Sequence, residues 1–293
     1  MKVGICLPYM KPGINRKTIL DWCRAIDQGP FHSLSCGERI TGYSYEMRVI
    51  LSVAAAVTER VRIVPSLYVL PMTNAVRAAK EIATLDVMSE GRVTVVVGVG
   101  GREVDYQAVG ANFKNRFKRM DEQVATMKRI WAGEPPFEGA DEVGPRPYQD
   151  GGPPILVGAM GPKSIKRVSK WADGLYGFAM GGEKDLTQYF FDSADTAWAE
   201  SGRDSKPYKM GGFWYSITDN AEAALKDYAY DYLKVLDENT ARQTANSMTR
   251  FTPEAIIEAL DDIEATGCEE IFLTPATADI KEVDRIAELL AKR

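Results

Sequence analysis

The stretch Pro153-Pro154-Ile155-Leu156-Val157-Gly158-Ala159-Met160-Gly161-Pro162-Lys163-Ser164 has the residue types and spacing of a phosphate cradle. Its apolar run Ile155-Leu156-Val157 suits a buried strand, and Gly158 and Gly161 let the backbone turn sharply and pass close to a ligand. Pro162 fits the first position of a helix, where its missing N–H costs nothing. The free amides of that helix start would face an anion, favoured by the positive end of the helix dipole. An ordinary strand-to-helix turn has the same pattern, so the rest of the chain must decide between the two.

Histidine chemistry is nearly absent. The chain of 293 residues has one histidine, His32, inside the apolar segment Phe31–Cys36, where a structural role is the expectation. A His-based zinc site, a Ser-His-Asp triad and a Cys-His dyad each need histidine in a set partnership. The four cysteines, Cys6, Cys23, Cys36 and Cys268, have no Cys-x-x-Cys spacing, and three lie inside apolar elements as reduced cysteines often do. An enzyme-sized chain this poor in histidine suggests that an organic cofactor supplies the hard chemistry, and no metal site is expected.

A net charge of −5 argues against nucleic acid or an anionic membrane as partner, since both require a basic face. No uninterrupted apolar stretch approaches the length of a membrane span, and the first apolar run is too short for a signal peptide. The expectation is a cytoplasmic soluble protein acting on a small-molecule substrate.

The elements that must position these residues alternate regularly. Strands are predicted at Val3–Leu7, Phe31–Cys36, Val61–Val69, Arg92–Gly98, Ile155–Gly158, Gly174–Phe178, Lys209–Ser216 and Glu270–Thr274. Helical patterns fall between them at Lys17–Asp27, Tyr45–Thr58, Asn74–Met88, Arg116–Trp131, Lys163–Trp171, Leu186–Ser201, Ala221–Val235 and Pro253–Thr266, with Ile280–Ala291 last. Eight such units predict an α/β fold, a single (β/α)8 TIM barrel over residues 1–293 with loop insertions, whose active groups come from the C-terminal strand ends. The Gly-, Pro- and charge-rich segment Gly133–Pro154 is either a lid or a surface insertion.

Four ordered motifs resemble the bacterial luciferase-like superfamily, whose barrels bind FMN or the deazaflavin F420. They are Val64-Pro65-Ser66-Leu67-Tyr68-Val69-Leu70-Pro71-Met72-Thr73-Asn74-Ala75; Ala79–Arg92; Val95–Gly100 with Arg116 and Arg119-Met120-Asp121-Glu122; and the cradle with Ala172-Asp173-Gly174 after it. The resemblance covers Lys2 to about Gly177 and returns over Glu270–Leu273. It implies a non-proline cis peptide at Ser66-Leu67 backing the cofactor ring, and a turn at Gly98-Val99-Gly100 beside the ring and ribityl chain. It also implies a phosphate site at Gly158-Ala159-Met160-Gly161 and Ser164. Lys163, with Lys166 and Arg167 behind it, would meet the acidic tail of F420; a solvated helix face is the alternative.

One departure stands out. Where the F420 branch often has Gly-Asp-His after the second strand, this chain has Gly37-Glu38-Arg39. Glu38 keeps a carboxylate. Arg39 stays protonated at ordinary pH and would orient an anionic group by its planar fork. Glu103 resembles the proton-donor position of sugar-phosphate dehydrogenases in this branch, although a solvent-facing loop acid fits equally. Tyr43, Tyr68 and Tyr106 would line the pocket or pack in the core.

The expected activity is hydride transfer with F420, Glu38 or Glu103 exchanging the substrate's proton. The alternatives are an FMN-dependent monooxygenase using reduced flavin and oxygen, and a barrel that binds without catalysing. A Schiff-base aldolase is set aside because Lys80 and Lys209 do not fall at strand ends. The family implies a homodimer. The apolar run Val49–Val57 agrees with that, being hydrophobic around most of a helix circumference.

Overall fold

The computed structural model describes residues 1–235 and 237–293. Eight parallel strands close into a barrel in sequence order: β1 (Lys2–Cys6), β2 (Ser33–Cys36), β3 (Arg62–Val69), β4 (Val95–Gly98), β5 (Ile155–Gly158), β6 (Gly174–Phe178), β7 (Tyr208–Tyr215) and β8 (Glu270–Pro275). Each strand expected from the sequence overlaps one of these. The ladder closes through β1 and β8, with Val3 opposite Ile271 and Gly4 opposite Phe272.

Strand alternation divides the side chains between two cores. Val64, Val96, Leu156, Tyr176, Met210 and Phe272 point inward and fill the barrel as a buried cluster. Their neighbours point outward, where Ile5, Leu34, Ile63, Val95, Val97, Val157 and Leu273 meet the surrounding helices, all fully buried. A barrel of this kind is a packed core and not a pore, so ligands are confined to its ends.

The helices, in chain order, are α1 (Arg16–Gln28), α2 (Met47–Val57), α3 (Ala75–Met88), α4 (Glu103–Ala108), α5 (Arg116–Trp131), α6 (Pro162–Val168), α7 (Lys184–Glu200), α8 (Ala221–Leu233), α9 (Glu238–Ser247), α10 (Pro253–Glu264) and α11 (Lys281–Lys292). Several start where the chain supplies a cap. Asn15 closes a capping box with Thr18, Asn74 accepts from the amides of Val76 and Arg77, and Thr252 accepts from Ala255. None of the described helices is long and apolar enough to cross a membrane.

Two helices were not anticipated. The first, α4, follows β4. The second, α9, pairs with α8 to form an insertion between β7 and the barrel helix α10. Leu225, Tyr228, Ala229 and Leu233 of α8 and Ala241 and Ala245 of α9 bury themselves with Trp214 from the end of β7. This hairpin lies at the C-terminal mouth.

The Gly133–Pro154 segment corrects the lid expectation. It joins α5 to β5 and so lies at the N-terminal end of the strands. Gln149 donates its backbone and side-chain N–H groups to the buried Asp86 carboxylate, and its side chain also reaches the Val93 carbonyl below β4. The segment is anchored to the face opposite the mouth. The two ends of a βα unit cannot be told apart by composition, only by which element precedes the loop.

Candidate functional site

The strand ends surround a cavity of about 300 Å³ at the C-terminal mouth. Cys6, Ser35 and Thr274 form its polar floor, while Tyr9, Phe178, Trp214, Tyr228 and Tyr232 give it an aromatic side. The remaining wall comes from Gly37-Glu38-Arg39 after β2, Ser66-Leu67 of β3, the Gly100–Arg102 turn after β4, and Gly158-Ala159-Met160 at the end of β5.

The Ser66–Leu67 peptide is cis, and the β3–β4 register shifts between Ser66 and Tyr68. This is the bulge that the resemblance implies. Leu67 then lies between two strand-end glycines. A Cβ on Gly98 would sit 2.8 Å from Leu67 Cδ1, and one on Gly158 would sit 2.6 Å from Leu67 Cδ2. Both glycines therefore make room for Leu67, whatever else they approach. Gly100 is different: its φ of +60° is one that side chains other than glycine rarely adopt.

Glu38 is held on both carboxylate oxygens. Its Oε2 accepts the Val69 backbone N–H at 2.7 Å, just past the bulge, and its Oε1 meets Arg48 Nη1 at 3.0 Å. The side chain is 5% exposed. Burial pushes its carboxyl up to about 7, against the opposing pull of the Arg48 guanidinium and the Val69 hydrogen bond. Arg48 also pairs with Glu46 at 2.5 Å and lies over the Tyr68 ring, whose hydroxyl donates to Glu81.

Burial keeps the Cys6 thiol and the Tyr9 and Tyr228 phenols of the cavity neutral near pH 7. Burial raises the Cys6 thiol to about 11, and Tyr9 and Tyr228 are pushed well above the usual phenol value for the same reason. Asp105 lies below the ordinary carboxylate range: burial alone would raise it, but Thr41 donates both its hydroxyl and its amide, and Arg102 and the Ile40 amide add to these. Asp105 thus ties the loop after β2 to the start of α4. Replacing Asp105 with Asn is expected to cost about 1–3 kcal/mol, since hydrogen bonds to a charged acceptor are lost. Thermal unfolding at pH 7 would detect this, and an unchanged transition would count against the tie.

Of the residues singled out from sequence, Glu38, Arg39, Ser66, Leu67, Gly100, Gly158, Ala159 and Met160 share the cavity. Gly98 supports it from behind Leu67, and the Val99 carbonyl accepts the Tyr106 hydroxyl. Glu103 stands exposed in the first turn of α4 and is not among the lining residues; Asp105, two positions on, faces inward. Gly161 caps α6, Lys163 is exposed, and Ser164 is half-buried in the first turn. Lys166 pairs with Glu200 at 2.8 Å, and Arg167 approaches Asp121 at 3.6 Å. Among the tyrosines, Tyr106 lines the cavity, Tyr68 is buried behind Glu38, and Tyr43 is exposed. His32 is half-buried in the segment leading into β2, away from the mouth.

Sequence reasoning missed Arg102, Asp105 and Arg116. Arg116 begins α5 and stacks on Phe113 (3.7 Å) and Phe117 (4.6 Å), with Arg167 also over Phe117; buried Nε atoms of both arginines have no partner. Such orphaned donors, at the start of α5 and in the last turn of α6, suit an anion. Together with the open backbone at Gly161 and the apolar cavity, they fit a ring cofactor with a phosphate-bearing tail. The signal for Arg102 and Asp105 was their place in the turn after β4, which Glu103 drew away.

A parallel barrel whose C-terminal mouth is framed by a β3 bulge and a β5 glycine turn is the arrangement that the luciferase-like resemblance implies. The luciferase-like monooxygenase family matches residues 1–289, and the chain belongs to it. It is 30% identical over 165 residues to the F420-dependent glucose-6-phosphate dehydrogenase of Nocardia farcinica, covering 52% of this chain and 48% of that one. It is 26% identical over 157 residues to the oxygenase component of the flavin-dependent trigonelline monooxygenase of Acinetobacter baylyi, covering 50% and 44%. The match thus spans about half the length of these curated relatives. An F420-dependent secondary alcohol dehydrogenase, solved with an F420-acetone adduct, superposes with a TM-score of 0.80 over 98% of this chain and 97% of its own at 20% identity, a likeness of fold. The family therefore includes relatives that use F420 and relatives that use flavin.

Proposed function

We propose that this protein is an F420-dependent oxidoreductase that moves a hydride between the deazaflavin and a small organic substrate. The observation that carries the reading is Glu38. Among the described cavity-lining residues it is the group whose protonation changes near neutrality, at about 7. Hydride transfer to or from a carbonyl or alcohol needs a partner that exchanges one proton, and a carboxyl poised near the working pH suits that task. When bound, the cofactor would supply the hydride chemistry.

The chain's own residues divide the remaining work. The bulge at Ser66-Leu67 and the Gly98–Gly100 turn would back and flank the ring, and the start of α6 with Arg116 and Arg167 would hold the phosphate. Tyr228 and Tyr232, brought in by α8, exclude water from the mouth, where electrostatic interactions gain strength. Glu38 holds or releases the proton at its carboxyl oxygen, oriented by Val69 and Arg48.

A second reading, an FMN-dependent monooxygenase, is favoured by the engagement of Lys166 with Glu200 and Arg167 with Asp121. Those partners occupy two of the three cations suited to the acidic F420 tail, although the exposed Lys166–Glu200 pair exchanges at little cost. Parallel titration with F420 and FMN, followed by tryptophan fluorescence, decides between them. Micromolar F420 binding with weak FMN binding is expected. Preference for FMN, with oxygen uptake from reduced flavin and substrate, overturns the F420 reading; binding of neither leaves the non-catalytic barrel. A homodimer belongs to the same proposal, supported by Val49 of the mostly apolar helix α2, which is 62% exposed.

A further inference from the structure

The cavity holds one guanidinium, that of Arg39, with no ion-pair partner among the described residues. Four of its lining residues are charged: Glu38, Arg39, Arg102 and Asp105. Glu38 is matched by Arg48, and Asp105 by Arg102, whose Nε lies 3.3 Å away. Arg39 lies over the Tyr232 ring at 5.3 Å and has no carboxylate in the salt-bridge network of the described residues. The lining thus carries two cations and two anions, and Arg39 is the one of the four without a partner of opposite charge.

Two donors in that enclosure are also unused. Among the described residues, the buried side-chain nitrogens without a partner that belong to the cavity lining are Arg39 Nε and Arg102 Nη1. Arg102 is fixed in place: its Nε faces Asp105 and its Nη2 donates to Thr41 Oγ1 at 2.9 Å, so Nη1 is the part left over. The two arginines are brought together because Asp105 ties Thr41 and Ile40, next to Arg39, to the helix that Arg102 begins. Both guanidinium groups act on the Tyr232 hydroxyl, easing the rise in pKa that burial imposes. Buried donors without acceptors are rare in folded proteins and costly unless a ligand completes them.

We propose that Arg39 and Arg102 form a carboxylate-binding subsite in the mouth, so that the substrate is a small monoanion with an apolar body. This rests on the oxidoreductase reading for calling the ligand a substrate; the subsite itself does not. A single unpaired guanidinium, Arg39, matches a carboxylate better than a dianionic phosphate. The planar guanidinium forks suit two coplanar oxygens. The aromatic side formed by Tyr9, Phe178, Trp214 and Tyr228 suits an aromatic or alicyclic body.

The test is calorimetric titration of the purified protein with benzoate, phenylacetate and cyclohexanecarboxylate, each beside its neutral amide. At least one acid is expected to bind about tenfold or more tightly than its amide, and less tightly as salt is raised. R39Q and R102Q are each expected to lose about tenfold or more of that affinity, with R102K recovering part of the loss. R39Q keeps the variant series readable, because Arg39 has no hydrogen bond that the fold depends on. F420 and FMN are titrated into the same variants. Equal affinity for acids and amides in the wild type overturns the proposal, as does a folded R39Q that keeps full acid affinity. Loss of cofactor affinity with acid binding intact also overturns it, by assigning the arginines to the cofactor. A wild-type protein that selects acids but binds neither cofactor refutes the hydride-transfer reading and supports the anion subsite.

Discussion

Glu38→Gln is expected to lower turnover by about 10²–10⁴-fold while leaving cofactor affinity nearly unchanged, the loss typical of removing a positioned acid–base group. Gln retains the size of the side chain and an oxygen that can accept the Val69 amide. Arg48 keeps Glu46 at 2.5 Å and Glu81 at 3.9 Å, so the variant should fold. The wild-type rate should bend near pH 7, rising with pH where the substrate is an alcohol to be oxidised and falling where a carbonyl is reduced. In the variant that inflection disappears.

Stability supplies an independent check on the same residue. The folded-state carboxyl lies at about 7 against an ordinary 4.5, so the folded protein binds the proton more tightly than the unfolded chain. That contribution is fully present below pH 4.5 and lost as pH rises through 7. The wild type should therefore lose stability across this window relative to Glu38→Gln, whose amide does not titrate. A variant with full turnover and an unchanged pH profile would remove Glu38 from the chemistry and return it to a structural partner of Arg48.

Much of the architecture was legible because barrel strands are short, buried on both sides and separated by amphipathic helices, which leaves apolar runs at regular spacing. The bulge at Ser66-Leu67 and the glycine turns at Gly98–Gly100 and Gly158–Gly161 were legible through a resemblance in local pattern. Those same glycines show its limit. Gly98 and Gly158 looked like sites of ligand approach, yet the atom nearest a Cβ there belongs to Leu67, which lies far from both in sequence.

Polar partnerships across the mouth were not legible. Asp105 acquires its role from Thr41 and Ile40, more than 60 residues earlier, and Glu38 from Arg48 and Val69. No local spacing encodes such pairs. Glu103 and Asp105 lie two apart in a short helix, and only the direction of α4 tells which one faces the cavity. The insertion α8–α9 was half seen. Its first helix and the barrel helix α10 were both expected, but α9 was not, because it is polar on most positions and buries mainly Ala241 and Ala245. Small residues packed against Trp214 give little periodic signal.

Gly174→Ala is expected to destabilise the barrel by about 3 kcal/mol or more, at the upper end of overpacking costs. An added Cβ would lie 2.2 Å from the Tyr208 carbonyl oxygen and 2.9 Å from its carbonyl carbon, both backbone atoms of the neighbouring strand. At Gly158 the obstacle is the end of a leucine, which can rotate; here β7 itself must move. Gly174 is in register with Tyr208, whose hydroxyl donates to the buried Glu270 carboxylate, which also accepts the Ser33 hydroxyl. Moving Tyr208 therefore strains a polar network shared by β2, β7 and β8. At about 2–4 °C per kcal/mol for a domain somewhat smaller than this one, the melting temperature should fall by roughly 6–12 °C. Because Gly174 begins β6 and the cavity lies at the strand ends, F420 or FMN affinity measured well below the transition should not change. A loss of cofactor affinity at low temperature would mean that the two ends of the barrel are coupled. An unchanged melting temperature would mean that β6 and β7 separate at their base more easily than their close contact implies.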